Sequence, residues 1–288
     1  MGTFKTKTET TANIATTYSG RTLVYLEGKT DVALFANHWF VNEASRLDFK
    51  EPETTKGCNG VVASVAEMRR DGRRAFGIID RDKLQADQRW DLVWETDDDT
   101  FARSKPYGDH VRVTCFWELE NYLVDPEAVE HYVALRDGGR RARPKEDATL
   151  DCLQHAEALI PHAALNGALR SEGKAEWGDG ATSQFRDRTA FEAHLKTCHE
   201  RGDIETPIWD CFKENLERVE AFANAATPCE RLRGLLRRVN GKALIHRIKK
   251  AGRLQDDPTF SLADLIRRDN RIPDELKSYV NEFAQSSV

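Results

Sequence analysis

"TLVYLEGKTD", residues 22–31, places an apolar run directly before two carboxylates that flank a glycine and a lysine. The run Leu23–Leu26 is typical of a buried strand, and Gly28 allows the backbone to turn sharply after it. Glu27 would then lie at the carboxyl end of that strand. Asp31 has two interpretations, because it can be the N-cap of the next helix or can share a site with Glu27.

Strands and helices alternate over the first 125 residues. A helix is predicted from Asp31 through "DVALFANHWFV", and a second over Val61–Arg70. Further strands are predicted at Leu47–Lys50, in "RAFGIID" (74–80) and in "VRVTCFWELENY" (111–122). This alternation predicts a βαβ arrangement with a parallel central sheet, in which functional residues gather outside the carboxyl ends of the strands.

The pattern changes after Pro126, where the remaining segments read as helices and strand-like alternation is scarce. We therefore predict an α/β fold followed by a mainly α-helical region. The predicted units are a flexible N-terminal segment (1–20), an α/β domain (21–127) and a helical domain (128–288).

Charge is unevenly spread along the 288 residues, whose net charge is −5. Residues 80–99 hold eight acids and three bases, whereas residues 228–254 hold nine bases and one acid. An acidic locus for cations and a basic segment for phosphates suit a metal-dependent nucleic-acid enzyme. Solvated helix faces give the same statistics, so charge alone does not decide the function.

Carboxylates follow three of the predicted strands. Glu27 follows the first, Asp80 and Asp82 follow Phe76–Ile79, and Glu118 and Glu120 follow the last. In extended backbone, residues two apart point to the same side, so each pair can present a joint oxygen surface. Such an oxygen-only site suits Mg²⁺ or Mn²⁺. The alternative is that these residues only cap helices and form turns.

Other residue groups have less specific patterns. In the basic segment, Lys242, Arg237 and Arg238 are candidates for phosphate binding, as is Lys29 after the first strand, although a solvated helix face or a docking surface for an acidic partner explains the basic segment nearly as well. A zinc site at His194, Cys198 and His199 lacks any paired ligand spacing, which favours plain helix residues. No apolar signal core or membrane-length run is present, so we expect a cytoplasmic protein with reduced cysteines.

Four motifs carry a resemblance to a known family. "LEGKTD" (26–31) and "GIIDRD" (77–82) resemble the signature of the Toprim domain, and "WELENYLVDPE" (117–127) and "VNGKALI" (239–245) resemble stretches of OLD-type Toprim proteins. This family occurs beside ABC-type ATPases in bacterial anti-phage operons, and it includes the toxin-effector subunit of the PARIS defence system. The resemblance covers about residues 20–127.

The resemblance implies roles for the acidic residues. Glu27 would be the catalytic glutamate or a metal ligand, Asp80 and Asp82 the metal-binding pair, and Glu120 the later acidic residue, with Glu118 as a helper. The implied cofactor is Mg²⁺ or Mn²⁺.

The resemblance also implies a function and partners. The implied reaction is phosphodiester hydrolysis by a toxic effector of abortive infection, which an ABC-type ATPase controls and which cleaves host tRNA. A homodimer without membrane contact is expected. The alternatives are a DNA endonuclease or nickase of the OLD type, and a non-catalytic Toprim regulator. Strand passage is not expected, since no gate domain with a cleavage tyrosine is recognisable.

Overall fold

The computed structural model of the chain describes residues 20–285. Its strands are β1 (Thr22–Tyr25), β2 (Leu47–Lys50), β3 (Ala75–Ile79) and β4 (Val111–Val113). They form one sheet in the order β2-β1-β3-β4, and every neighbouring pair is parallel. The predicted parallel sheet is therefore confirmed. The predicted flexible segment lies outside the described residues except for Gly20.

Helices make up most of the remaining described region. The α-helices in chain order are α1 (Lys29–Ala33), α2 (Gly57–Arg70), α3 (Asp82–Ala86), α4 (Trp90–Val93), α5 (Asp98–Ser104), α6 (Pro126–Arg136), α7 (Lys145–Glu157), α8 (Ile160–Ser171), α9 (Arg188–Glu200), α10 (Thr206–Phe222), α11 (Pro228–Leu235), α12 (Gly241–Ala251), α13 (Thr259–Arg268) and α14 (Asp274–Gln285). A π-helical segment, Leu34–Trp39, continues α1, and 3-10 helices cover Val41–Ser45, Leu119–Leu123 and Asp179–Gln184.

The sheet is buried on both faces, because side chains alternate between two apolar clusters along each central strand. On β3, Phe76 and Ile78 belong to the larger cluster, whereas Ala75 and Ile79 belong to the smaller one. Helix α2 covers the smaller cluster so closely that a Cβ at Gly77 would lie 2.5 Å from Val61 Cγ1. A glycine is therefore required at that position of β3.

The other face of the sheet is covered by the C-terminal part of the chain. Phe283 of α14 stacks on Phe76 with ring centroids 4.3 Å apart. The same apolar cluster continues into the helical region through residues such as Leu165 and Phe212. The boundary predicted between residues 127 and 128 falls inside α6. The α/β part and the helical part thus share one core.

The helix after β1 begins earlier than predicted. Its N-cap is Gly28, and Asp31 is the third residue of the helix, where its Oδ2 accepts the Gly28 N–H at 3.0 Å. The prediction that Asp31 is the N-cap is therefore wrong, although its carboxylate still satisfies a backbone donor at the helix start.

Within residues 20–285, no helix has both the length and the apolar character needed to cross a bilayer.

Candidate functional site

The first two acidic sites meet because β1 and β3 are parallel neighbours. Glu27 follows β1 by two residues, and Asp80 follows β3 directly. Glu27 Oε1 accepts the Asp80 N–H at 2.7 Å, which fixes the orientation of the glutamate. The strand-end argument therefore placed these two residues correctly.

Asp80 links this pair to the segment after β4. Its side chain is buried, and its Oδ1 accepts the Leu119 N–H at 3.0 Å. Burial raises the pKa of Asp80 well above its ordinary value, and the nearby charges of Glu27 and Asp82 raise it further. A cation bound nearby would reduce the repulsion between these carboxylates.

Asp82 joins the site with a different backbone from the one predicted. Arg81 has helical dihedrals and Asp82 is the first residue of α3, so Asp80 and Asp82 are not an extended pair on one side of a strand. Burial, followed by the charge of Glu27, raises the pKa of Asp82 to about 8. Its Oδ1 is buried and has no hydrogen-bond partner among residues 20–285. A buried carboxylate oxygen without a hydrogen-bond donor is available to bind a metal ion.

Asp31 also belongs to the site. Burial raises its pKa to about 7, with further contributions from Glu120 and Glu27. We refer to Glu27, Asp31, Asp80 and Asp82 as the acidic cluster. Of the two interpretations of Asp31, the shared site with Glu27 therefore agrees with the structure, while the residue also accepts the Gly28 N–H at the helix start.

Glu118 and Glu120 are not the predicted extended pair either, because Glu120 lies inside the 3-10 helix that starts after Glu118. Glu118 is 5% exposed and Oε2 accepts the N–H groups of Gly241 at 3.0 Å and Lys242 at 3.3 Å. Its Oε1 accepts the Asn240 side-chain amide at 3.0 Å. Glu118 therefore holds the N-terminus of α12, which leaves it less able to bind a metal than predicted.

Helix α12 places the positively charged side chain of Lys242 at the rim of the site. Lys242 Nζ lies 3.4 Å from Glu118 Oε1 and 3.5 Å from Glu120 Oε1. Its side chain is 56% exposed, so it can contact a molecule in solvent. The close approach of α12 requires Gly241, since a Cβ there would lie 2.5 Å from Asn121 Oδ1. The structure thus brings Lys242 together with Glu118 and Glu120, a proximity that the sequence analysis did not predict.

The other predicted phosphate ligands are placed differently. Arg238 is 1% exposed, lies over the rings of Trp94 and Trp117, and donates to Gln85 Oε1 at 2.6 Å. Arg237 pairs with Asp98 and is largely buried. Neither side chain forms an exposed phosphate-binding surface, so that prediction is wrong for both. Lys29 is exposed at the first residue of α1.

Cys58 is a site residue that the sequence analysis missed. It is the second residue of α2, and its Sγ lies with a carboxylate oxygen of Glu27 and one of Asp82 such that all three atoms are within 4.8 Å of one another. Burial raises the pKa of Cys58, and the charges of Glu27 and Asp82 raise it further. Cys58 lies in the first turn of the helix after β2 and well beyond the end of that strand, so an argument from residues directly after strands did not reach it.

The residues that could share a metal ion lie at this site. Glu27, Cys58 and Asp82 are the one group of three or more histidine, cysteine or acidic side chains between residues 20 and 285 whose ligand atoms could share an ion. His194, Cys198 and His199 form no such group, and His199 Nδ1 instead pairs with the Ile204 carbonyl oxygen at 2.9 Å.

No protein-family model, curated protein or solved structure matches this chain. The interpretation of the site therefore depends on its own residues and their geometry.

Proposed function

We propose that this chain is a metal-dependent nuclease that hydrolyses phosphodiester bonds. The observation that carries the proposal is the convergence of Glu27, Asp31, Asp80 and Asp82 at one edge of the sheet, with the Lys242 ammonium group near its rim. Buried carboxylates repel one another unless a cation lies between them. A site that combines such a cation with an exposed lysine suits a phosphate-bearing substrate.

The residues fit a divalent cation. The buried Asp82 Oδ1 has no hydrogen-bond partner among the described residues, and burial with mutual repulsion raises the pKa values of Asp80, Asp82 and Asp31. Glu27 and Asp82, whose carboxylate oxygens lie close enough to share an ion, would hold it, with Asp80, Asp31 and Glu120 nearby. When bound, the ion would supply Lewis-acid stabilisation of the charge that develops on the scissile phosphate.

The protein's own groups would handle the proton and the phosphate. Glu27 would orient the attacking water and accept its proton, because the Asp80 N–H holds this carboxylate in one direction. Lys242 would donate to a non-bridging phosphate oxygen, since Glu118 fixes the helix end that carries it. Glu118 is in this scheme a positioning residue.

The substrate class and the partners rest on the resemblance of the motifs to OLD-type Toprim proteins. We propose host tRNA as the substrate, with DNA as the alternative, in a toxic effector of anti-phage defence that an ABC-type ATPase controls. A homodimer is proposed on the same basis.

The test is cleavage of total tRNA and of plasmid DNA by the purified protein, alone and with any ABC-type ATPase that a neighbouring gene encodes, in Mg²⁺, Mn²⁺ or EDTA. We expect cleavage in the metals and none in EDTA, and Glu27→Gln should reduce the rate by at least about 100-fold. Glu53→Gln, an exposed glutamate, is the matched control. Equal cleavage by Glu27→Gln would exclude the proposed site, and no cleavage in any condition would favour the regulator interpretation.

A further inference from the structure

One ligand of the site is a thiol, which an oxygen-only site for Mg²⁺ does not need. Cys58 Sγ, a Glu27 oxygen and an Asp82 oxygen lie within 4.8 Å of one another. Mg²⁺ takes oxygen ligands and retains water, whereas thiolate ligands select softer cations such as Zn²⁺. The donor set therefore differs from the one that the sequence predicted.

Two carboxylates and one thiolate resemble a zinc site with an open position. Zinc accepts cysteine and acidic ligands, and sites with three protein ligands leave a fourth position for water or substrate. The Asp82 carboxylate also has an oxygen, Oδ1, that is buried and has no hydrogen-bond partner among residues 20–285, so this side chain has an acceptor that no protein donor occupies.

The thiol is held by a rigid part of the fold. Cys58 lies in the first turn of α2, and Val61, one turn later, packs directly against Gly77 of β3. Asp82 is the first residue of α3, and Glu27, which follows β1 by two residues, is oriented by the Asp80 N–H. A site built on such elements keeps its ligand geometry better than one built on loops.

We propose that Glu27, Cys58 and Asp82 form a site that binds Zn²⁺ and other thiophilic divalent cations more tightly than Mg²⁺. The inference rests on the proposed function only in that the same carboxylates would serve the nuclease. On binding, the sulfur bonds the cation and its proton is released to the buffer. Zn²⁺ would therefore compete with Mg²⁺ for Glu27 and Asp82, and it would inhibit cleavage that depends on Mg²⁺.

The test is direct cation binding by the full chain. Cd²⁺ serves as the probe, because a bound thiolate gives an ultraviolet charge-transfer band, and calorimetry gives the Zn²⁺ and Mg²⁺ affinities. We expect Cys58→Ser to remove the band and to weaken Zn²⁺ binding by at least about tenfold, with Mg²⁺ affinity nearly unchanged. Cys115→Ser is the matched control, since Cys115 Sγ also contacts a carboxylate, Asp98, at 2.8 Å.

Independent outcomes separate this inference from the proposed function. Asp82→Asn should also weaken Zn²⁺ binding, which keeps the test decisive if Cys58→Ser folds poorly by circular dichroism. Equal Zn²⁺ affinity in the wild type and in both variants would overturn the inference. A Cd²⁺ band that depends on Cys58 in a protein that cleaves no nucleic acid would support the inference and count against the nuclease.

Discussion

At the residue scale, Lys242 is expected to affect both the Mg²⁺ affinity and the cleavage rate, in opposite senses. Its ammonium group partly neutralises Glu118 and Glu120 at the rim of the acidic cluster. Lys242→Met should therefore strengthen Mg²⁺ binding by about tenfold, because it removes a repelling positive charge. The same change should lower the cleavage rate at saturating Mg²⁺ by at least about tenfold, since a phosphate ligand is lost.

Calorimetry and cleavage rates check the two effects separately. Lys249→Met on the same helix α12 is the control and should change neither quantity. If Lys242 were only a solvated charge, Lys242→Met would behave like Lys249→Met.

The sequence analysis identified the residues of the acidic cluster but not the Cys58 thiol beside them. Glu27 and Asp80 follow buried strands directly, so the topology of a parallel sheet was enough to bring them together. Cys58 was missed because "TTKGCNG" reads as a turn, although the residue opens the helix that follows β2. Arg238 was misplaced because a charge pattern carries no sign of burial, and its guanidinium lies over two tryptophan rings.

At the scale of elements, Glu118 connects the segment after β4 with helix α12. Glu118→Ala would leave the N–H groups of Gly241 and Lys242 buried without their acceptor. We expect a loss of about 2–3 kcal/mol in the free energy of unfolding of the metal-free protein. Glu120→Ala, at a more exposed carboxylate, should cost less than about 1 kcal/mol.

Urea denaturation of the metal-free protein measures both changes. A metal ligand would behave in the opposite way, because its removal relieves repulsion and leaves the metal-free protein as stable or more stable. Unchanged stability of Glu118→Ala would therefore contradict the helix-capping role.

The pattern of elements was predictable, whereas the local backbone at their ends was not. Periodicity placed β1, β3 and the helix α2, but the pairs Asp80/Asp82 and Glu118/Glu120 were expected in extended backbone. In the structure a helix begins within two residues of each strand-end carboxylate, at Asp82 and after Glu118. Helix starts of this kind depend on tertiary hydrogen bonds, such as the one from Leu119 to Asp80, which no local pattern contains.

At the scale of the whole molecule, composition suggested a division that the core does not follow. The change after Pro126 from mixed to helical patterning led to units at 21–127 and 128–288. Helix α6 spans that boundary, and Phe76 of the sheet stacks on Phe283 near the end of the described chain. Which apolar face meets which partner is a long-range property, and sequence periodicity does not contain it.

The shared core predicts that residues 1–127 do not fold alone. Truncation at 127 would expose the face of the sheet that carries Val24, Leu26, Phe76 and Ile78, all of them buried in the complete chain. We expect the fragment to lose cooperative thermal unfolding and near-ultraviolet circular dichroism, since too little apolar surface is buried to offset chain entropy.

A chain cut instead at a protease site inserted between Gly138 and Gly139 is the control. Its two pieces should co-elute and unfold together, because the cut leaves the core contacts in place. Cooperative unfolding of the isolated fragment would show that the sheet has a core of its own.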